Sequence, residues 1–250
     1  MRLLDKVTIV TGSSSGLGRA IAVLFAQEGA KVVVNANRNV AGGEETVAII
    51  KKAGGKAILV QASVASGADC KRLVQTAVDT FGGVNILVNN AGVEIRGGVL
   101  TLTEEEWDQM LNVDLKGIFL CSKEAIPHMI KAGGGSIVNV GSVLSFDVIP
   151  ERAAYCAAKA GVVGLTKALA VELAAKKINV NAIGPCNVRT PMNAHLMDDP
   201  TFYKFLVDST PWGRVSKPSD ISPAAVYLAS DEADYVTGHT LYIDGGWLAK

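Results

Sequence analysis

Tyr155 and Lys159, four residues apart, and Ser142, thirteen residues ahead of the tyrosine, are the side chains whose types and spacing best suit chemistry. The run Ala153–Ala160 is rich in alanine and free of proline, which predicts a helix. Residues four apart on a helix share a face, so the phenol and the ammonium point the same way. A free tyrosine titrates near about 10 and exchanges protons poorly at neutrality. A cation held beside it favours the phenolate and lowers that value by about one to three units. Such a phenol can pass a proton to or from a substrate oxygen near neutral pH. The same spacing arises by chance on many helices, so the rest of the chain has to carry the argument.

The elements that must position this pair alternate. Short β-branched runs at 6–11, 31–36, 57–61, 85–88, 136–140, 178–183 and 240–243 read as strands. Apolar residues at helical spacing predict helices over 16–27, 43–52, 68–81, 153–175 and 220–230. A longer helix over 104–131, with a bend, opens at Thr103-Glu104-Glu105-Glu106, a capping threonine followed by acids at the positive helix end. The segment from Pro185 to Pro211 is irregular, with five helical turns at most. The alternation predicts α/β architecture: one doubly wound Rossmann-type domain over 1–250, with about seven parallel strands and helices on both faces. Ligands bind such sheets beyond the carboxyl ends of the strands, where the motifs below fall.

Composition narrows the function classes. The chain has 250 residues, 24 Lys plus Arg against 24 Asp plus Glu, and no long basic run, which argues against nucleic-acid or anionic-membrane partners. No uninterrupted apolar run nears the roughly 20 residues of a membrane span, and the first residues carry no signal-peptide pattern. The four cysteines (Cys70, Cys121, Cys156, Cys186) have no CxxC spacing, and the three histidines (His128, His195, His239) are scattered. These features predict free thiols, no metal site and a cytoplasmic location.

Three further motifs accompany the pair. Thr11-Gly12-Ser13-Ser14-Ser15-Gly16-Leu17-Gly18 joins strand one to helix one, where glycines admit a pyrophosphate and the helix N-terminus favours its charge. Its GxxxGxG spacing differs from the general GxGxxG fingerprint. Asn89-Asn90-Ala91-Gly92 ends strand four and suits a backbone passing close to a ligand. Asn112 sits in the long helix and marks its bend, which would free a carbonyl for water.

Taken in order, TGxxxGxG, NNAG, the helical Asn112, Ser142, YxxxK and a late Pro185-x-x-x-x-Thr190 resemble the short-chain dehydrogenase/reductases over essentially the whole chain. Within that family the sequence is similar to the bacterial 3-oxoacyl-(acyl carrier protein) reductases and glucose 1-dehydrogenases. The resemblance implies hydride transfer at a nicotinamide, with Tyr155 as acid/base and Lys159 tuning it and binding the ribose. Ser142 would hold the substrate oxygen, and Asn112 a relay water. It further implies that Gly12, Ser14, Ser15, Leu17 and Gly18 surround the pyrophosphate and adjoining ribose. Asn90 would lie near the adenosine ribose and Gly92 beside the cofactor, with Pro185, Val188 and Thr190 at the nicotinamide. A homotetramer, with helices 104–131 and 153–175 at one interface, is the family's usual assembly.

Departures from the family pattern set the finer expectations. The acid that holds a ribose 2′-hydroxyl is replaced by Ala36, and Asn37-Arg38 follow, which suits a 2′-phosphate. Against this, the basic residue of many NADP users is Ser15 here; on the strength of Arg38 NADP is the preferred expectation, and NAD is the alternative. The adenine-contacting acid is replaced by Ser63, followed by Val64, and the usual Pro-Gly reads Pro185-Cys186. Glu94, Arg96, Glu151, Arg152 and His195 are the polar candidates around the substrate, and residues 191–212 are expected to form a lid. The expected activity interconverts a small-molecule carbonyl and a secondary alcohol. A sugar dehydrogenase, and an NADP-binding sensor with little catalysis, are the rivals.

Overall fold

The computed structural model describes residues 1–250. Seven strands form one parallel sheet: β1 (Val7–Val10), β2 (Lys31–Ala36), β3 (Lys56–Gln61), β4 (Ile86–Asn89), β5 (Gly135–Val140), β6 (Ile178–Pro185) and β7 (Thr240–Ile243). Their order is β3-β2-β1-β4-β5-β6-β7. The first three strands run outward to one edge, and β4 returns to the other side of β1, so a crevice opens where the order reverses.

Helices cover both faces, which is why β1, β4 and β5 are buried almost throughout and lack alternation. On one face lie α1 (Gly16–Gln27), α2 (Val40–Lys52) and α9 (Pro218–Ala229), with Ile21, Phe25, Ile50 and Val226 packed against Val32, Val34 and Val138. The other carries α3 (Gly67–Phe81), α4 (Glu104–Leu111), α5 (Gly117–Lys131) and α6 (Ala153–Leu173), with Leu73, Met129, Leu169 and Leu173 against Ile9, Val33 and Ile137.

Ends are set locally. Thr103 caps α4 in a reciprocal box with Glu106, a device worth about 1 kcal/mol. Asn39 caps α2 by accepting from the Gly42 amide, so this helix begins three residues before the predicted start. Gly42 and Gly43 are tolerated inside it because Ser14 O and the Leu59 side chain press against them. The predicted helix over 104–131 is broken by a π-helical turn at Asn112–Lys116, which supplies the expected bend. The irregular stretch holds two short helices, α7 (Ala194–Met197) and α8 (Pro200–Asp208).

With a mean hydropathy of 1.3, Ala153–Lys176 is the one helical segment long and apolar enough to cross a membrane. Here that segment packs on β6 and α4 and carries Tyr155 and Lys159.

Candidate active site

A cavity of about 670 Å³ opens beyond the carboxyl ends of the strands. Every residue expected to take part in catalysis or to hold the cofactor lines it, with the exception of Asn112.

Its floor is built from two loops stitched together. The Thr11 hydroxyl accepts from the Asn90 and Ala91 amides at 3.0 Å each, and Asn90 Nδ2 donates to Thr11 O (2.9 Å) and Gly12 O (3.1 Å). Asn35 ties in β2, its Oδ1 accepting from the Gly12 amide. These contacts leave no room for side chains. A Cβ on Gly12, whose φ is +62°, would stand 2.7 Å from Ala91 Cα, and one on Gly18 would stand 2.4 Å from Asn90 Nδ2. Arg19 braces the turn from below, donating to Ser14 O at 2.7 Å while pairing with Glu45 at 2.7 Å. Its role was not legible in sequence, because Arg19 belongs to no motif and its partners lie on α2.

The reacting groups meet at the ends of β5 and β4. Ser142 follows β5, its Oγ accepting from the Leu144 amide at 3.1 Å, and it lines the cavity together with Tyr155. Lys159 is buried one turn along α6; its Nζ donates to Val140 O at 3.1 Å and lies 5.4 Å from the centroid of the Tyr155 ring.

The Asn112 side chain does not line the cavity. Its side chain accepts from Lys116 Nζ at 3.3 Å on the outer side of the π-helical turn. The residue delivered instead is Asp114, 1% exposed, with Oδ2 at 3.1 Å from Lys159 Nζ and Oδ1 accepting from the Val93 amide at 2.8 Å. A Cβ on Gly92 would come within 2.9 Å of Asp114 Oδ2, so this glycine is what lets the carboxylate approach.

Electrostatics depart from the sequence expectation. Burial is the largest influence on Tyr155 and raises its phenol above the ordinary value. Lys159 and the Ser142 hydroxyl pull it down, while Asp114 and Glu94 push it up, so the cation does not win. For Lys159, burial works against the charge, but Asp114 and Tyr155 overcome it and hold the ammonium above its ordinary range. Burial raises the Asp114 carboxyl, opposed by Lys159 and the Val93 amide.

At the adenosine end, Asn37 and Arg38 are exposed on the rim beside Ser63 and Val64, and no carboxylate pairs with Arg38. Asp69 binds the Ser63 amide at 2.8 Å and is also paired with Arg72, so an acid remains near this end although none follows β3 directly. At the opposite end Pro185, Val188 and Thr190 line the wall. Cys186 does not; its buried side chain packs with Val143 and Trp247, and burial pushes its thiol up to about 12. The extra Cβ is thus absorbed by the core.

The substrate end is roofed by Met192, Met197, Phe202, Phe205 and Leu206, from the stretch that carries α7 and α8. Below them Arg152, 5% exposed, pairs with Glu94 at 2.8 Å, while Arg96 lies 3.6 Å from the same carboxylate oxygen and 5.2 Å from the Phe202 ring centroid. Glu151 and His195 do not line the cavity.

The residues present fit a nicotinamide dinucleotide. Ser15, at the N-cap of α1, makes no side-chain capping bond, so the first amides of that helix are free for a pyrophosphate. The buried Nδ2 of Asn187, between Pro185 and Val188, has no partner and is placed to meet an acceptor on the ligand.

The model of a family described as "Enoyl-(Acyl carrier protein) reductase" matches residues 12–248. The chain is 44% identical to 3beta-hydroxysteroid dehydrogenase 1 of Eggerthella lenta, over 98% of this chain and 94% of the relative. It is 40% identical to the 3-oxoacyl-(acyl-carrier-protein) reductase FabG of Thermotoga maritima, over 98% and 99% of the two chains. Among solved structures, a gluconate 5-dehydrogenase from Burkholderia cenocepacia J2315, in complex with NADP and tartrate, superposes with a TM-score of 0.95 at 32% identity, covering 100% of this chain and 97% of the other.

Proposed function

The chain belongs to the short-chain dehydrogenase/reductase family of oxidoreductases acting on CH–OH groups, and we propose that it is an NADP-preferring enzyme interconverting a carbonyl and a secondary alcohol. One observation carries the reading: Ser142, Tyr155 and Lys159 converge in the same cavity as a glycine turn shaped for a pyrophosphate.

In reduction, Tyr155 gives its proton to the carbonyl oxygen, while Ser142 donates a hydrogen bond to that oxygen as charge develops. Lys159 stabilises the phenolate that remains and holds the nicotinamide ribose. The bound dinucleotide supplies the hydride, or accepts it in oxidation. The preference for NADP rests on Arg38, which lacks a carboxylate partner, and on Ala36 in place of an acid. The Burkholderia relative is described with NADP bound. Residues 191–212 form the lid, and the enzyme is a cytoplasmic homotetramer.

A second reading, a sugar-type substrate bearing a carboxylate, is favoured by the two guanidinium groups that share one carboxylate at the substrate end. The Burkholderia relative, by name a gluconate dehydrogenase, is described with a dicarboxylate. A sensor that binds NADP without turnover has no use for the Ser142, Tyr155 and Lys159 set.

Tyr155→Phe tests the assignment. The rate of ketone reduction should fall by about 10²–10⁴ while NADPH still binds. Near wild-type turnover would sink it. A panel of 3-oxoacyl thioesters, neutral ketones, sugars and sugar acids with both cofactors separates the readings.

A further inference from the structure

Lys159 is held from three directions. Val140 O accepts from it at the end of β5, the Tyr155 ring lies beside it on α6, and Asp114 Oδ2 faces it at 3.1 Å from the π-helical turn. The Asp114 carboxylate is itself anchored by the Val93 amide, in the loop that follows β4. Oδ2 contacts Lys159 outside hydrogen-bond geometry and receives no other donor, so the ammonium is its sole compensation. An uncompensated buried carboxylate is costly, and so is a buried ammonium; each is tolerated here because of the other. Gly92 reinforces the point, since any side chain there would drive into Oδ2.

We infer that Asp114 is a positioning residue that fixes Lys159 by charge and sets the pH at which Tyr155 exchanges its proton. The inference rests on Tyr155 being the acid/base proposed above. An aspartate so placed offsets the ammonium and leaves the phenol with less help than a lone lysine would give. Other charges facing the cluster are Glu94, in the loop after β4, and the arginines at 96 and 152, of which Arg152 pairs with Glu94 directly. Glu94 acts on the phenol in the same direction as Asp114, but Asp114 alone touches Lys159.

Neutralising Asp114 therefore has a signed consequence. In Asp114→Asn the ammonium is uncompensated and stabilises the phenolate more strongly. Oxidation needs the phenolate, so the acid limb of kcat/KM for an alcohol should move down by about one pH unit. Reduction needs the phenol, so its alkaline limb should move down as well. At a pH on the oxidation limb this appears as a roughly tenfold gain relative to each enzyme's plateau. Burial, no longer opposed, lowers the Lys159 value too, and activity at high pH should be lost earlier.

The experiment compares pH profiles of wild type, Asp114→Asn and Asp114→Glu, with NADPH affinity measured by fluorescence titration. The expected result is a downward shift in Asp114→Asn and an unshifted profile in Asp114→Glu, which keeps the charge even if turnover falls. A uniform loss of turnover at every pH in both variants would overturn the inference, as would an unshifted Asp114→Asn. Should Asp114→Asn fail to fold, Asp114→Glu decides alone: a kept profile supports the inference and a displaced one overturns it. Tyr155→Phe separates the two levels, because retained turnover there removes the functional reading, whereas an inactive Tyr155→Phe with an unshifted Asp114→Asn removes only this one.

Discussion

Arg152 and Glu94, fifty-eight positions apart in sequence, meet at 2.8 Å in the substrate end of the cavity, and the same glutamate oxygen stands 3.6 Å from Arg96. A bridge between Gly97 and Arg152 brings the two segments together. Glu94 is shared between both guanidinium groups, and Glu151 adds only a weaker attraction for Arg96. Burial is the largest influence on Arg96 and lowers it from its ordinary value, and the charge of Arg152 lowers it further. A substrate anion would relieve both effects.

Arg96→Gln should therefore raise KM for an acidic substrate about tenfold or more, the worth of a charge-assisted hydrogen bond. KM for a neutral ketone should change little. Parallel kinetics on a hydroxy acid and its amide check this, and equal changes would mean that Arg96 is structural.

The proposed preference for NADP rests on Arg38. Arg38→Ala should raise KM for NADPH well beyond any change for NADH, because only NADPH presents a 2′-phosphate to the exposed guanidinium. Steady-state kinetics with both cofactors decide it, and equal effects would refute a phosphate contact.

The stitched floor makes Gly18→Ala costly. The added methyl would meet Asn90 Nδ2 at 2.4 Å and Gly12 O at 2.5 Å, neither of which can yield without opening the joint between the two loops. A loss of about 1–3 kcal/mol is expected from such overpacking. Denaturant midpoints should drop accordingly, and NADPH affinity with them.

In the wild-type protein the phenol of Tyr155 is held above its ordinary value, first by burial. Oxidation requires the deprotonated form, so kcat/KM for an alcohol should rise about tenfold per pH unit below that value. Reduction requires the protonated form and should stay flat across neutral pH. An oxidation rate that falls with rising pH, or a reduction rate that rises with it, would identify a different group.

Much of the architecture was legible because it is local. Unbroken apolar strands alternating with amphipathic helices admit few arrangements other than a covered parallel sheet, and the glycine turn was recognisable from its place between the first strand and the first helix. Tyr155 and Lys159 share a face because α6 is regular.

The site could not be completed the same way. Along an uninterrupted α-helix each residue advances by a fixed angle, but the π-helical turn at Asn112–Lys116 resets the phase, and it is Asp114 rather than Asn112 that faces Lys159. The sign of the Tyr155 shift likewise depends on burial and on Asp114, neither of which is a property of residue spacing. The brace from Arg19 and the Glu94–Arg152 pair join segments that only the folded sheet brings within reach. The sequence by itself determined which groups could react and the frame that holds them. The tertiary structure decided which carboxylate stands beside the lysine, because that depends on the rotation of one helix turn and the closeness of one glycine.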